Sequence, residues 1–154
     1  NQTLMTNQKR CMNAMLKNRI VPIINENDTV SIKELMFTDN DELSGLVAEM
    51  MKAQLLIILS NVDGVFTGNP DEPESELIRI VEAEDDYSQC VSASKSKYGR
   101  GGMMTKMKTA KQVAVNGIEV RIANGTRQNI LLDVILNPEN AVCTRFLTHK
   151  TKKQ

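Results

Sequence analysis

The apolar positions of this chain alternate between helical and strand-like periods. Met12, Met15 and Leu16 recur at i, i+3 and i+4 and predict a helix over 7–18, with Thr6 as its N-cap. The short apolar run 20–24 predicts a buried strand, which Pro22 keeps away from the centre of a sheet. A further short strand is expected over 32–38. Asp39 then offers an N-cap for a helix over 40–52, whose Leu43, Leu46, Val47, Met50 and Met51 share one face. The clearest strand is Leu55–Ser60, apolar on both faces as a buried parallel strand requires, and it reads as the most buried of the set.

A loop-rich stretch follows over 61–76, with Gly64, Gly68, Pro70 and Pro73. A strand is expected over 77–81, an acidic loop or helix start over 82–86, and a Ser-, Lys- and Gly-rich loop over 88–102. Met103, Met107, Ala110, Val113 and Ala114 predict the inner face of a helix over 103–116, stopped by Gly117. A strand over 118–123, a helix over 128–136 and a last strand over 141–147 complete the pattern. Strands alternating with helices mean an α/β fold: a three-layer αβα sandwich on a mainly parallel sheet. Ligands of such sheets bind beyond the carboxyl ends of the strands, so the loops there are the places to look for chemistry.

Composition narrows the field. Nineteen basic residues balance 19 acidic ones, which removes the electrostatic case for nucleic acid or an anionic membrane. Five aromatic residues and no Trp make a base-stacking platform a poor fit. The longest uninterrupted apolar run, 55–59, is far short of the ~20 residues that span a bilayer. Cys11, Cys90 and Cys143 fit neither a disulfide framework nor zinc spacing, so reduced thiols in a cytoplasmic protein are expected. His149 is the only histidine and lies in a Lys-rich tail, 148–154, set apart from the domain over 1–147. Hydrolytic schemes built on a Ser–His or Cys–His pair therefore lose their base.

Four constellations remain. Asn25, Glu26, Asn27 and Asp28 end the run 20–24 and offer hydrogen bonds from several directions; a turn held by Asx bonds is the plain alternative. Asp39, Asn40, Asp41 and Glu42 open a helix, where acids suit the dipole but could also order a lysine or Mg²⁺ beside a phosphate. Ser60, Asn61, Val62, Asp63, Gly64, Val65 and Phe66 end the strand Leu55–Ser60 at the crevice where a nucleotide could lie. Gly99, Arg100, Gly101, Gly102, Met103, Met104, Thr105 and Lys106 run into a helix whose backbone N–H groups form an anion site. This is not a Walker A loop, because Lys106 follows Thr105 and precedes Met107. Lys95, Lys97, Arg100, Lys106 and Lys108 gather positive charge around it in an otherwise neutral chain, as a polyphosphate would require.

Taken in order, the segments 21–28, 39–44, 55–66 and 101–106 resemble the glutamate 5-kinase branch of the amino acid kinase family. The resemblance implies ATP- and Mg²⁺-dependent phosphorylation of the γ-carboxylate of L-glutamate, the first step of proline synthesis. It implies that Asp28 and Asn40, with Asn25 and Asn27 beside them, bind glutamate. Asp39 and Asp41 would sit near the reacting phosphate and help order lysines and Mg²⁺, with no metal ligand directly assigned. Ser60 and Asn61 would lie by the adenine nucleotide. Arg100, Gly101, Gly102, Met103, Met104, Thr105 and Lys106 would line the ATP site, Lys106 neutralising charge on the transferring phosphoryl group. The family usually carries Asp where Asn61 stands, and a small residue or Thr where Arg100 stands.

The family's initial strand, glycine-rich phosphate loop and catalytic lysine have no counterpart in residues 1–20. The chain is accordingly expected to be the C-terminal part of a kinase domain, incomplete at its N-terminus and inactive alone. Homo-oligomerisation and feedback inhibition by proline are further expectations of the resemblance. The alternatives are a family member acting on aspartate or N-acetylglutamate, and a non-catalytic module that binds nucleotide or amino acid.

Overall fold

The computed structural model describes residues 2–25, 40–82, 84, 85, 87 and 102–148. In chain order the elements are α1 (Gln2–Lys17), α2 (Asn40–Met51), β1 (Leu55–Ser60), β2 (Ile80–Val81), α3 (Gly102–Val115), β3 (Glu119–Asn124), α4 (Ile130–Leu136) and β4 (Cys143–Phe146). The expected strand over 32–38, the cap Asp39, most of the loop 88–102 and His149 lie outside the described residues.

The four strands form one sheet in the order β1-β3-β4-β2. β1 and β3 run parallel, with Leu55 opposite Glu119 and Ser60 opposite Asn124. β4 runs antiparallel to β3, and β2 parallel to β4. The sheet is therefore mixed: two of its three ladders are parallel, and they point in opposite directions.

Strand alternation divides the core in two. Val120 and Ile122 of β3, Ile58 of β1 and Phe146 of β4 pack with Ala48 of α2 and with Met107, Ala110 and Val113 of α3. Ala123 and Cys143, on the other face, pack with Ile130 and Val134 of α4. Helices thus cover both faces, giving the expected αβα layering.

α2 and α3 lie side by side and parallel. Gly45 makes this possible, because a Cβ there would sit 2.8 Å from Thr109 Cγ2 and 3.2 Å from Val113 Cγ2. One turn toward the N-termini the same crossing sets Asp41 beside Lys106, and one turn the other way Asn116 Nδ2 donates to Glu49 Oε1. Three helices end in the same device: the residue after the cap turns left-handed and two backbone N–H groups reach back to the last turn. Arg19 (φ 60°), Lys52 (φ 52°) and Gly117 (φ 91°) hold these positions. At α1, for example, Ile20 N–H donates to Met15 O at 2.9 Å and Arg19 N–H to Leu16 O at 3.0 Å.

Several sequence expectations need correction. The run 20–24 is not a strand: Val21 is 80% and Ile23 97% exposed. A strand exists only through pairing, and no described strand lies beside this one. Thr6 is not an N-cap but lies inside α1. Of the predicted stripe only Met12 is half-buried, because described contacts of α1 are few and Leu16 stays 51% exposed. β1 is not the most buried strand: it is an edge among the described strands, with Leu59 46% exposed, whereas four consecutive residues of β3 are buried. The expected strand over 77–81 shrinks to β2, and Leu77 instead forms an isolated bridge with Phe66.

One buried and one partly buried polar arrangement hold the sheet to its loops. Thr144 Oγ1, fully buried, accepts from Val65 N–H at 2.8 Å and donates to Ile78 O at 2.6 Å. Thr144→Val leaves that N–H and that carbonyl unpaired, so a loss of about 1–3 kcal/mol is expected in urea-denaturation experiments. The second arrangement joins β3 and β4. Glu119 Oε1 accepts from Arg121 Nε at 2.9 Å and from Arg145 Nε at 3.0 Å, while Arg145 Nη1 reaches Glu139 at 2.5 Å. Arg121 also donates to Val134 O, tying α4 to the sheet.

Burial pushes the Glu119 carboxyl up, but the hydrogen bonds from Arg121 and Arg145 outweigh it and hold the group below its ordinary value of 4.5. A carboxyl with a depressed folded value adds stability above its unfolded value and loses it as pH falls through the folded one. Stability is therefore expected to fall as pH drops below 4.5, and Glu119→Gln to flatten that part of the profile. Removing this shared acceptor charge is expected to cost about 2–3 kcal/mol at pH 7.

Candidate active site

The parallel pair β1 and β3 places both carboxyl ends at one edge of the sheet, and the N-terminus of α3 meets them there. Between them lies a cleft of about 110 Å³. Ser60 and Asn61, from the end of β1, line one side; Gly102, Met103 and Lys106, from the first turns of α3, line the other. Val62, Gly64, Phe66, Gly68 and Pro70 complete the wall.

Lys106 Nζ bonds Asp41 Oδ2 at 2.7 Å, each side chain being 18% exposed. The two residues are 65 positions apart, and the close α2–α3 crossing at Gly45 brings them together. A charged pair so shielded from water is held in one geometry and is stronger than a surface pair. Ser44 Oγ donates to Asp41 O at 2.7 Å and tightens the first turn of α2. The parallel orientation also points the positive ends of both helix dipoles toward the cleft. An ammonium and two helix N-termini make an environment for phosphate.

The outer edge of the cleft is stitched by the loops after β1 and β3. Gly125 N–H donates to Ser60 O at 2.8 Å. Arg127 grips Asp63 with two parallel bonds, Nε to Oδ1 at 2.7 Å and Nη2 to Oδ2 at 2.6 Å. The Arg127 hydrogen bond holds the Asp63 carboxyl below its ordinary range, against a smaller opposing effect of burial.

Of the residues expected to contact nucleotide, Ser60, Asn61, Gly102, Met103 and Lys106 share the cleft. Met104 does not: it is 36% exposed and outside the lining. Thr105 is half-buried outside the lining. Asp41 is joined to Lys106; Asn40 is exposed at the start of α2. Asn25 is exposed and is not part of the cleft wall. Asp28, Asn27, Asp39, Arg100 and Gly101 lie outside the described residues. Phe66, the last residue of the constellation after β1, also lines the cleft; sequence reasoning missed Gly68 and Pro70 as wall residues, though Gly and Pro in a loop after a strand were a usable signal. It also missed Arg127, for which the linear sequence carries no signal.

Among the described residues no three His, Cys, Asp or Glu side chains gather as a metal site. None of the described helices is long and apolar enough to cross a membrane. Cys143 is buried, and burial pushes its thiol up, so it is not a nucleophile candidate.

Comparison with known proteins places the fold and the family. Glutamate 5-kinase of Bacteroides thetaiotaomicron is 58% identical over 141 residues, 92% of this chain and 39% of that protein. Glutamate 5-kinase of Chlorobaculum tepidum is 45% identical over 96% of this chain and 40% of its own length. The chain thus spans about two fifths of the length of these relatives. Two solved structures share the fold. An isopentenyl phosphate kinase superposes with a TM-score of 0.65 at 21% identity, over 88% of this chain and 49% of that one. UMP kinase from Ureaplasma parvum superposes with a TM-score of 0.60 at 15% identity, over 91% of this chain and 53% of that one. The model of the amino acid kinase family matches residues 1–124, and the chain belongs to that family.

Proposed function

We propose that the cleft is the nucleotide half-site of an enzyme that transfers the γ-phosphoryl group of ATP to the γ-carboxylate of L-glutamate, the first step of proline biosynthesis. The observation that carries this reading is the Lys106–Asp41 pair at the cleft, where two helix N-termini converge. The similarity to glutamate 5-kinases supplies the acceptor.

In this mechanism a glutamate carboxylate oxygen attacks the γ-phosphorus, the bond to the β,γ-bridging oxygen breaks, and ADP leaves. The acceptor is already an anion, so no histidine base is needed. The protein contributes positioning and charge stabilisation, which dominate phosphoryl transfer. Lys106 draws charge from the transferring group, and Asp41 holds the ammonium in place. Mg²⁺ takes most of its oxygens from nucleotide phosphates and water, so one or two carboxylates suffice from the protein. Asp41 is the described carboxylate suited to that role, with Asp39 its neighbour in sequence. Bound Mg²⁺ would neutralise phosphate charge.

The chain over 1–147 is read as the C-terminal part of a kinase domain, with Asp28, Asn40, Asn25 and Asn27 on the glutamate side and Arg100 and Gly101 on the ATP side. A cytoplasmic homo-oligomer inhibited by proline belongs to the same reading and rests on the family relationship alone.

The test is ADP release by the full-length protein with ATP, Mg²⁺ and each of L-glutamate, L-aspartate and N-acetyl-L-glutamate, with and without proline. Turnover confined to glutamate is expected. Turnover confined to either other acid would overturn the substrate assignment, and ATP binding with no turnover on any would favour a non-catalytic module.

A further inference from the structure

The phosphate end of the cleft is explained by Lys106 and Asp41, but among the described residues the strand end has no charged side chain on its wall. Asp63 is in the right loop yet is not part of that wall, whereas its neighbours Val62 and Gly64 are. Its carboxylate faces away, into the loop after β3. There it accepts Asn124 Nδ2 at 3.1 Å in addition to the two bonds from Arg127. The Asn124 amide is itself oriented: its Oδ1 accepts Thr126 N–H at 3.0 Å and Thr126 Oγ1 at 2.7 Å, which leaves only the NH₂ for Asp63. Three donors, Asn124 Nδ2, Arg127 Nε and Arg127 Nη2, converge on one carboxylate, behind the loop that forms the wall.

Such a network has a mechanical consequence. Ser60, Asn61, Val62 and Gly64 form a turn whose cleft side must keep its shape when a nucleotide enters. The Asp63 carboxylate is the anchor on its outer side, and Arg127 is the anchor's partner. A bidentate guanidinium–carboxylate pair fixes orientation as well as distance, which a lysine cannot do.

We infer that Arg127 is a positioning residue for nucleotide binding, acting through Asp63 to hold the Ser60–Gly64 turn in its binding shape without touching substrate. The inference rests on the reading of the cleft as an ATP site. It predicts an effect confined to the nucleotide side, because Arg127 is tied to the strand-end loops and to neither Asp41 nor Lys106.

The experiment uses full-length protein carrying Arg127→Gln, Arg127→Lys, Asp63→Asn and the double variant Asp63→Asn with Arg127→Gln. KM for ATP, KM for glutamate, kcat, Kd for a fluorescent ATP analogue and Tm are measured for each. Arg127→Gln is expected to raise KM for ATP and Kd about tenfold, with KM for glutamate and kcat changed less than about threefold. Arg127→Lys should recover part of the loss, since it keeps the charge without the fork. Asp63→Asn should match Arg127→Gln, and the double variant should be no worse than either single, as partners in one interaction require. Unchanged KM for ATP in Arg127→Gln, when the wild-type protein binds the analogue, would overturn the inference while leaving the site reading intact. So would a uniform fall in kcat, both affinities and Tm, which would mark a general stability role. A wild-type protein that binds no ATP analogue would overturn the site reading, and the inference with it.

Discussion

Lys106→Ala in the full-length protein is expected to lower glutamate-dependent turnover by about 10²–10⁴-fold with the fold intact. The magnitude follows from the role: removing one preorganised charged donor from a water-poor site typically costs two to three orders of magnitude. The loss here is at the upper end because the same change strands Asp41. That carboxylate is 18% exposed and 2.7 Å from the ammonium, so without Lys106 it is a partly buried anion facing the incoming phosphates. Lys106→Arg should not restore full activity, because a planar guanidinium cannot occupy the position of a compact ammonium. Asp41→Asn is expected to lose about as much as Lys106→Ala, since it frees the lysine from its single fixed orientation. The double variant should be far from additive, as in other sites whose members act as a unit. The check is steady-state kinetics beside circular dichroism. Wild-type turnover in Lys106→Ala would remove this residue from the chemistry.

Gly64→Ala should be the most damaging single-methyl change described here, at about 3–5 kcal/mol of stability, through backbone strain and overpacking together. Gly64 holds φ at 153°, where a side chain is strained even in open space. Space is also lacking: an added Cβ would lie 2.4 Å from Thr144 Oγ1 and 3.0 Å from both Thr144 N and Leu77 Cδ1. The hydroxyl cannot swing aside freely, since it already bridges Val65 N–H and Ile78 O. Gly117→Ala supplies the contrast. Its φ of 91° is unfavourable, but no described atom lies within 4 Å of the added Cβ. Only the backbone term remains there, about 1 kcal/mol. Equal losses in urea denaturation at the two glycines would mean that the Thr144 contact does not constrain the turn. Because Gly64 also lines the cleft, its variant should lose nucleotide affinity even at temperatures where it stays folded.

What could be read in the sequence followed from how local each signal was. α3 and β3 were legible because their own periodicity, and the stop at Gly117, specify them without reference to the rest of the fold. The extent of β1 was also legible, but its burial was not: apolarity on both faces says that a strand can be buried, while its position in the sheet depends on neighbours. The same ambiguity produced the incorrect strand over 20–24, whose Val21 and Ile23 remain exposed. At the site, Ser60, Asn61, Gly102 and Lys106 were recognisable because they stand at strand ends or a helix start. That Lys106 would meet Asp41 was not readable from spacing; it depends on the bare surface of Gly45 letting two helices touch. The Asp63–Arg127 pair was the least legible. Each residue alone looks like an ordinary charged loop residue, and only the parallel pairing of β1 with β3 brings their loops together.

The most direct test of the central claim is a crystal structure of the full-length protein with glutamate, Mg²⁺ and a non-hydrolysable ATP analogue. The γ-phosphate analogue is expected within hydrogen-bonding distance of Lys106 Nζ, at the N-terminus of α3, with the base side of the nucleotide against the Ser60–Gly64 turn. An analogue bound elsewhere, with Lys106 still closed on Asp41 and the cleft empty, would contradict the account.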